Sequence, residues 1–402
     1  MPKLDHYQQF AGLHWETGTV HNFYAYRGVK APHTGQPYSE GLLLGISGGI
    51  VMGYFSFSYE GYDPQARILT RNTFDPLDTL LQRLGVVQEN RQTTNPAKSV
   101  ANLVDALAEG LPAIVWADYF TLSYNTLPLD AGMWAAFPIL VYGYDETADT
   151  VWIADRARVP LTVTSRELAA ARGRIKKARF RLLTLDVPDP DKVPSAVQLG
   201  IWDCIKLFTE PPPKGGKNNF GLAAYRWWID LLTKPKERMS WAKTFPPGAK
   251  LFAGLLSAFG DINTFGKEGN AERRLYADFL EEAAIILNKP GLVTVAEHFR
   301  LSAAAWDTLS KALLPAEVKL FGETRQLLLR KHRLFLDQGN AALPEIHRIN
   351  ARLAAIKEEV AADFPLSASD VVAFQAQLAE EVRAIHAIEQ AALTQLRQTM
   401  TG

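Results

Sequence analysis

The chain has almost no cysteine. Cys204 is the only one in 402 residues, so no internal disulfide can form and a thiolate metal cluster is excluded. It also has no excess of either charge. Its 43 basic and 43 acidic residues cancel, which removes the general attraction to nucleic acid or anionic lipid that a basic surface provides. Long apolar runs are missing too. The best membrane candidate, "GLLLGISGGIVMGYFSF" at 41–57, is too short to span and is interrupted by glycine and serine, so it reads as buried core. The first ten residues, "MPKLDHYQQF", lack the basic and apolar regions of a secretory signal. A cytoplasmic location is expected, with neither nucleic acid nor membrane as a partner.

Several motifs fall short of a site. "GISGGIVMG" has neither the glycine spacing of a dinucleotide loop nor a P-loop lysine, and close helix packing explains its glycines better. The turn "GYDETAD" could hold a cation, but solvated hairpin turns use the same residues. Cys204, in the apolar "GIWDCIKLF", reads as a small core residue. His14, Glu16 and His21 are possible metal ligands, yet their spacing matches no His-Glu-x-x-His helix and no histidine lies between His33 and His298. No metal and no cofactor are expected. "ARGRIKKARFR" at 171–181 has six basic residues and no acid. It is either solvated surface or a dock for an acidic carrier or a phosphate.

What is present describes a folded globular protein: 47% apolar and 21% charged residues, in a chain long enough for two or three domains. Up to about residue 187, helix and strand signals alternate. "FDPLDTLLQRLGV" and "NPAKSVANLVDALAEG" each pair a capping Asp75 or Asn95 with a following proline and end on Gly85 or Gly110. "LPAIVWADYF" reads as a buried strand, and "FPILVYGYDETADTVWIADRA" as a hairpin turning at 145–149. Thr164 and Glu167 fit a capping box, and "ARFRLLTLDV" is a last strand.

Strand signals stop after the proline-rich "VPDPDKVPSAV" at 187–197, which sets a domain boundary. Beyond it, "NAERRLYADFLEEAAIILN" has one apolar face. Ile346, Ile349, Leu353, Ile356 and Val360, and then Val371, Phe374, Leu378, Val382 and Ile385, repeat at spacings of three and four. These two runs predict an antiparallel helical hairpin split at "DFPLSASD", with homodimer formation through its apolar stripes. "EPPPKGGKNNFG" at 210–221 reads as a long loop. The expected domains are 1–190 (α+β), 191–340 (helical) and 341–402 (the hairpin).

The order of four pieces is more specific than any one motif. "GLHWETGTVHNFYAYRG", "SEGLLLGISGGIVMGYF", "GLPAIVWADYF" and "ILVYGYDETADTVWIADRA" together resemble the amino-terminal domain of the butirosin biosynthesis protein H family. "NNFGLAAY" and "GNAERRLYADFLEEAA" resemble the helical domain of unknown function that follows it. The resemblance covers roughly residues 8–315. It implies a papain-type cysteine-peptidase fold, with a mostly antiparallel sheet, adapted to acyl transfer in natural-product biosynthesis.

Such chemistry needs a cysteine at a helix start, a histidine to take its proton and a carboxylate to orient the imidazole. On the family pattern these fall on Trp15, Phe137 and Asp155, so only the carboxylate survives. His14, Glu16, Ser39, Glu40, Asp118, Tyr119 and Tyr142 complete the expected cleft. The resemblance therefore implies a pseudoenzyme that binds a small molecule, a peptide or an acyl-carrier partner in the old cleft. Two alternatives stand beside it: a non-thiol acyltransferase or hydrolase using His14, Glu16 and Asp155, and an oligomeric assembly protein.

Overall fold

A computed structural model describes residues 2–127, 134–264 and 267–402. In the amino-terminal part α1 spans Thr17–Tyr26, α2 Glu40–Ile46, β1 Ile50–Phe57, β2 Gln65–Arg71, α3 Pro76–Arg83, β3 Gln88–Arg91 and α4 Pro96–Ala108. Then come β4 Ala113–Asp118, β5 Ala136–Asp145, β6 Thr150–Ala154, β7 Leu161–Val163, α5 Ser165–Arg174 and β8 Leu182–Leu185. Helices follow: α6 Val193–Thr209, α7 Gly221–Thr233, α8 Trp241–Thr244, α9 Ala249–Asn263 and α10 Arg273–Ile286. The last are α11 Gly291–Leu313, α12 Lys319–Gln338, α13 Leu343–Ala362 and α14 Ala368–Thr401. Among the described residues no strand follows β8, and no helix is long and apolar enough to cross a membrane.

The sheets are antiparallel. Six strands run in the order β3-β8-β4-β5-β6-β7, while β1 and β2 form a separate pair. β4 and β5 lie near the centre of the larger sheet, which is why both read as nearly continuous apolar runs instead of alternating ones. The β5–β6 hairpin turns where expected: Ala148 N donates to Asp145 Oδ1 at 2.9 Å, and Asp149 takes a left-handed φ of 47°.

The starts of α4 and α5 follow the predicted chemistry, the Thr164–Glu167 box in its Thr164 half alone. Asn95 accepts from Ala97 N and Lys98 N at the head of α4, and Thr164 accepts from Glu167 N at the head of α5. The Glu167 carboxylate accepts from Ser123 N. Ser367 and Asp370 form a complete capping box on α14.

The chain folds into two interleaved compact units. One comprises 1–43, 80–193 and 331–349; the other comprises 44–79, 194–330 and 350–402. The border at 193/194 falls in the proline-rich stretch. The other borders differ from a linear division at 190 and 340, because the β1–β2 pair is sewn into the helical unit: β1 packs on α7 and β2 on α9. Gly45 of "GISGGIVMG" does allow close packing there, since a Cβ on it would meet the Phe279 ring at 2.2 Å, and Gly200 packs against it in turn, its own Cβ falling 2.0 Å from Gly45 O; Gly48 and Gly49 instead take left-handed φ values of 107° and 71°. Cys204 is fully buried in the same unit, donates to Ile50 O and has its thiol pushed up by burial to about 12.

The carboxyl-terminal hairpin is corrected. The main packing partners of α14 are α11 and α7, not α13. Its Val371, Leu378, Val382 and Ile385 are buried, as are Ile346, Ile349, Ile356 and Val360 of α13. Helical periodicity reports that a face is covered, not by what. Leu353 and Phe374 of the same stripes are half-buried, so most of the apolar surface that suggested a dimer, though not all of it, is covered within the chain.

A buried ion pair pins α14. Glu389 and Arg273 are each 0% exposed, with Arg273 Nε 2.7 Å from Glu389 Oε1. The carboxylate also accepts from Tyr225 Oη at 2.6 Å, Ser302 Oγ at 2.7 Å and Trp306 Nε1 at 3.1 Å. Arg273 in turn donates to the carbonyls of Val51, Thr70 and Ala271 at 3.0, 3.1 and 2.8 Å.

Residues 331–349 complete the first unit. Arg158 N donates to Leu336 O at 2.8 Å. The Asn340 amide pairs with both the N–H and the carbonyl of Thr162, each at 2.9 Å. Thr162 lies on β7, an edge strand of the sheet, so this side chain satisfies backbone groups that would otherwise be left open.

Candidate functional site

The loop entering α1 is held by one carboxylate. Glu40 accepts from Leu13 N at 2.8 Å, His14 N at 2.9 Å and Thr17 Oγ1 at 2.9 Å. This fixes residues 13–17 at a helix amino terminus, where the backbone dipole favours negative charge. His14 is buried, accepts at Nδ1 from Glu16 N and lies 3.8 Å from the Glu16 carboxylate. His21 turns to Tyr38 O at 2.7 Å. Among the described residues no group of three His, Cys, Asp or Glu side chains is placed to hold a metal ion.

At the centre, Trp15 and Phe137 stack face to face, with ring centroids 3.7 Å apart and planes 8° from parallel. Phe137 comes from the start of β5, beside Ala117 of β4. Tyr119 meets both rings edge-on, at 5.4 and 6.0 Å, the geometry that aromatic quadrupoles favour. Trp15 is 6% exposed.

Arg156 closes the cluster. Its guanidinium carbon lies 4.9 Å from the ring centroids of Trp15 and Tyr119 and 5.1 Å from that of Phe335, so three aromatic faces surround one cation. The same group donates to Asp155, at 3.0–3.2 Å, and to Asn125 Oδ1 at 2.6 Å. Tyr124 Oη donates to Asp155 Oδ2 at 3.1 Å. Burial alone would lower the Arg156 pKa, but the Asp155 carboxylate holds it above its usual value. The carboxylate expected to orient an imidazole therefore holds a guanidinium and a phenol. Burial raises Tyr119 and Tyr124, leaving both protonated. His332 is pushed down to about 4 by burial, then by Arg156 and Arg158, and so is neutral at pH 7.

Of the residues expected from sequence, His14, Trp15, Glu16 and Glu40 share the α1 entry. Tyr119 and Phe137 join them at Trp15, and Asp155 is linked to them through Arg156. Three others do different work. Tyr142 stacks on Tyr7 at 4.2 Å and meets Phe10 edge-on. Ser39 accepts from Leu42 N at 2.9 Å and caps α2. Asp118, 0% exposed, accepts from Ala135 N and Thr121 Oγ1 and pairs with Arg174 at 3.4 Å. These contacts of all three support the fold.

Half of the basic run is likewise structural. Arg174 binds Asp118, Arg172 donates to Phe180 O and Arg181 lies over Trp116, while Lys176, Lys177 and Arg179 are exposed. Sequence reasoning passed over Arg156, although it directly follows the carboxylate singled out at Asp155. Phe335 and His332 carry no such signal, because only the fold brings 331–349 to this unit.

Residues 14–156 match the family described as Butirosin biosynthesis protein H, N-terminal, and residues 166–327 match a domain of unknown function (DUF4872). No curated protein matches the chain. The chain accordingly carries a butirosin biosynthesis protein H amino-terminal domain followed by that domain of unknown function.

Proposed function

We propose that this protein is a relative of biosynthetic acyltransferases whose amino-terminal domain has a papain-type fold without thiol chemistry and acts by binding. The observation that carries the reading is the Trp15–Phe137 stack at 3.7 Å: two interlocked rings stand where the family resemblance puts nucleophile and base. The Asp155 carboxylate supports it, because Arg156 and Tyr124 occupy its oxygens. The partner that fits is an acidic carrier protein in the cytoplasm, docking on the exposed Lys176, Lys177 and Arg179.

Two measurements test this. The unaltered protein is expected to leave acyl thioesters intact, and turnover above the buffer rate with Trp15 and Phe137 in place would sink the reading. Restoring the pair as Trp15→Cys, Phe137→His puts a thiol just ahead of α1 and an imidazole beside it. Its alkylation at pH 7 should run about tenfold faster than that of Trp15→Cys alone. Buried Cys204, with its thiol near 12, supplies a silent background.

A further inference from the structure

The loop at 210–221 is built onto the end of β1. Asn219 Nδ2 donates to Tyr54 O at 2.7 Å, and Phe220 meets Phe55 edge-on at 5.5 Å. Asn219 N donates to Gly216 O at 3.1 Å. A Cβ on Gly216 would lie 2.4 Å from Asn219 Oδ1, so the glycine is what lets that side chain turn inward.

Between this loop, the end of β1 and α7 lies a cavity of about 480 Å³, lined chiefly by Phe55, Ser56, Lys217, Asn218, Trp227 and Met239. It is of ligand size. Phe55 and Trp227 offer flat apolar faces and Met239 a polarisable sulfur. Among the described residues Lys217 is the one charged group in the lining, and no carboxylate accompanies it. Ser56 Oγ is buried and has no hydrogen-bond partner, which is costly unless something supplies one.

We propose that this cavity in the helical unit binds an aromatic carboxylate: the ring lies among Phe55, Trp227 and Met239, the acid group reaches Lys217, and Ser56 donates to the bound molecule. Nothing in this proposal rests on the state of the Trp15 cluster. A cationic ligand has no acid to meet in this lining, and a purely apolar one leaves the Ser56 hydroxyl unanswered.

Calorimetric titration of the full chain with benzoate, 4-hydroxyphenylacetate and indole-3-acetate, against tryptamine as the same ring with opposite charge, tests it. At least one acid should bind while tryptamine does not. Lys217→Ala should weaken that binding about tenfold and Ser56→Ala about threefold, in line with a charged and a neutral hydrogen bond. Among the five methionines, the Met239 methyl resonance should move most on titration. The proposal is overturned if no acid binds at millimolar concentration, if tryptamine binds equally, if Lys217→Ala leaves the affinity unchanged, or if other methionines respond instead.

Discussion

Glu389→Ala is expected to destabilise the helical unit by about 3–5 kcal/mol, the cost of leaving one member of a buried ion pair unmatched. The substitution strands Arg273 at 0% exposure together with the donors of Tyr225, Ser302 and Trp306. In thermal unfolding followed by circular dichroism the midpoint should fall by roughly 10 °C. Glu389→Gln keeps the shape but not the charge, and should fall between the two.

The same pair gives a pH signature. Burial acts to raise the Glu389 pKa, but Arg273 and the surrounding hydrogen bonds outweigh it and hold the carboxylate below its usual range. A depressed folded-state pKa stabilises above the ordinary carboxylate value of about 4.3, and that stability is lost as pH falls further, through the folded value. The gap between wild type and Glu389→Gln should therefore be constant near neutrality and narrow only in acid. A midpoint for Glu389→Ala within a degree or two of wild type would remove the ion pair as the anchor of α14.

Trp15→Ala is expected to cost about 3–5 kcal/mol, as large-to-small changes of buried aromatics do. It removes the stack on Phe137, the edge contact with Tyr119 and one of the three faces around Arg156. These losses overlap and do not sum. Trp15→Phe retains a ring against Phe137 and should recover most of the difference. Urea unfolding of the two variants separates a packing role from a ligand-contact role. A Trp15→Ala loss below about 0.5 kcal/mol, the range of ordinary surface changes, would show that the ring is not holding this unit together.

Much of the fold was legible because local chemistry and tertiary outcome agree. The Asn95 and Thr164 caps, the turn at Asp149 and the continuous apolar runs of β4 and β5 each report their own surroundings. The partner of α14 was not legible. An apolar stripe is equally consistent with α13, which is next in sequence, and with α7 and α11, which actually cover it.

The site divides the same way. Trp15 and Phe137, singled out from the order of motifs, meet in one stack and Asp155 reaches it through Arg156, whereas Asp118, Ser39 and Tyr142 make contacts that no motif announces. Phe335 could not be foreseen, since 179 positions separate it from the Arg156 it covers. No local pattern encodes such a contact.

The interleaving of the two units has a consequence for biosynthesis. The edge at Thr162 lacks its Asn340 partner until that residue is made, and Arg273 lacks its carboxylate until Glu389 is made. Domains generally fold as they leave the ribosome, amino-terminal first. Here both gain a partner late, so the β7 edge stays open for 178 residues of synthesis and Arg273 waits 116 residues for its carboxylate. Truncated chains ending before residue 331 should be unusually dependent on chaperones.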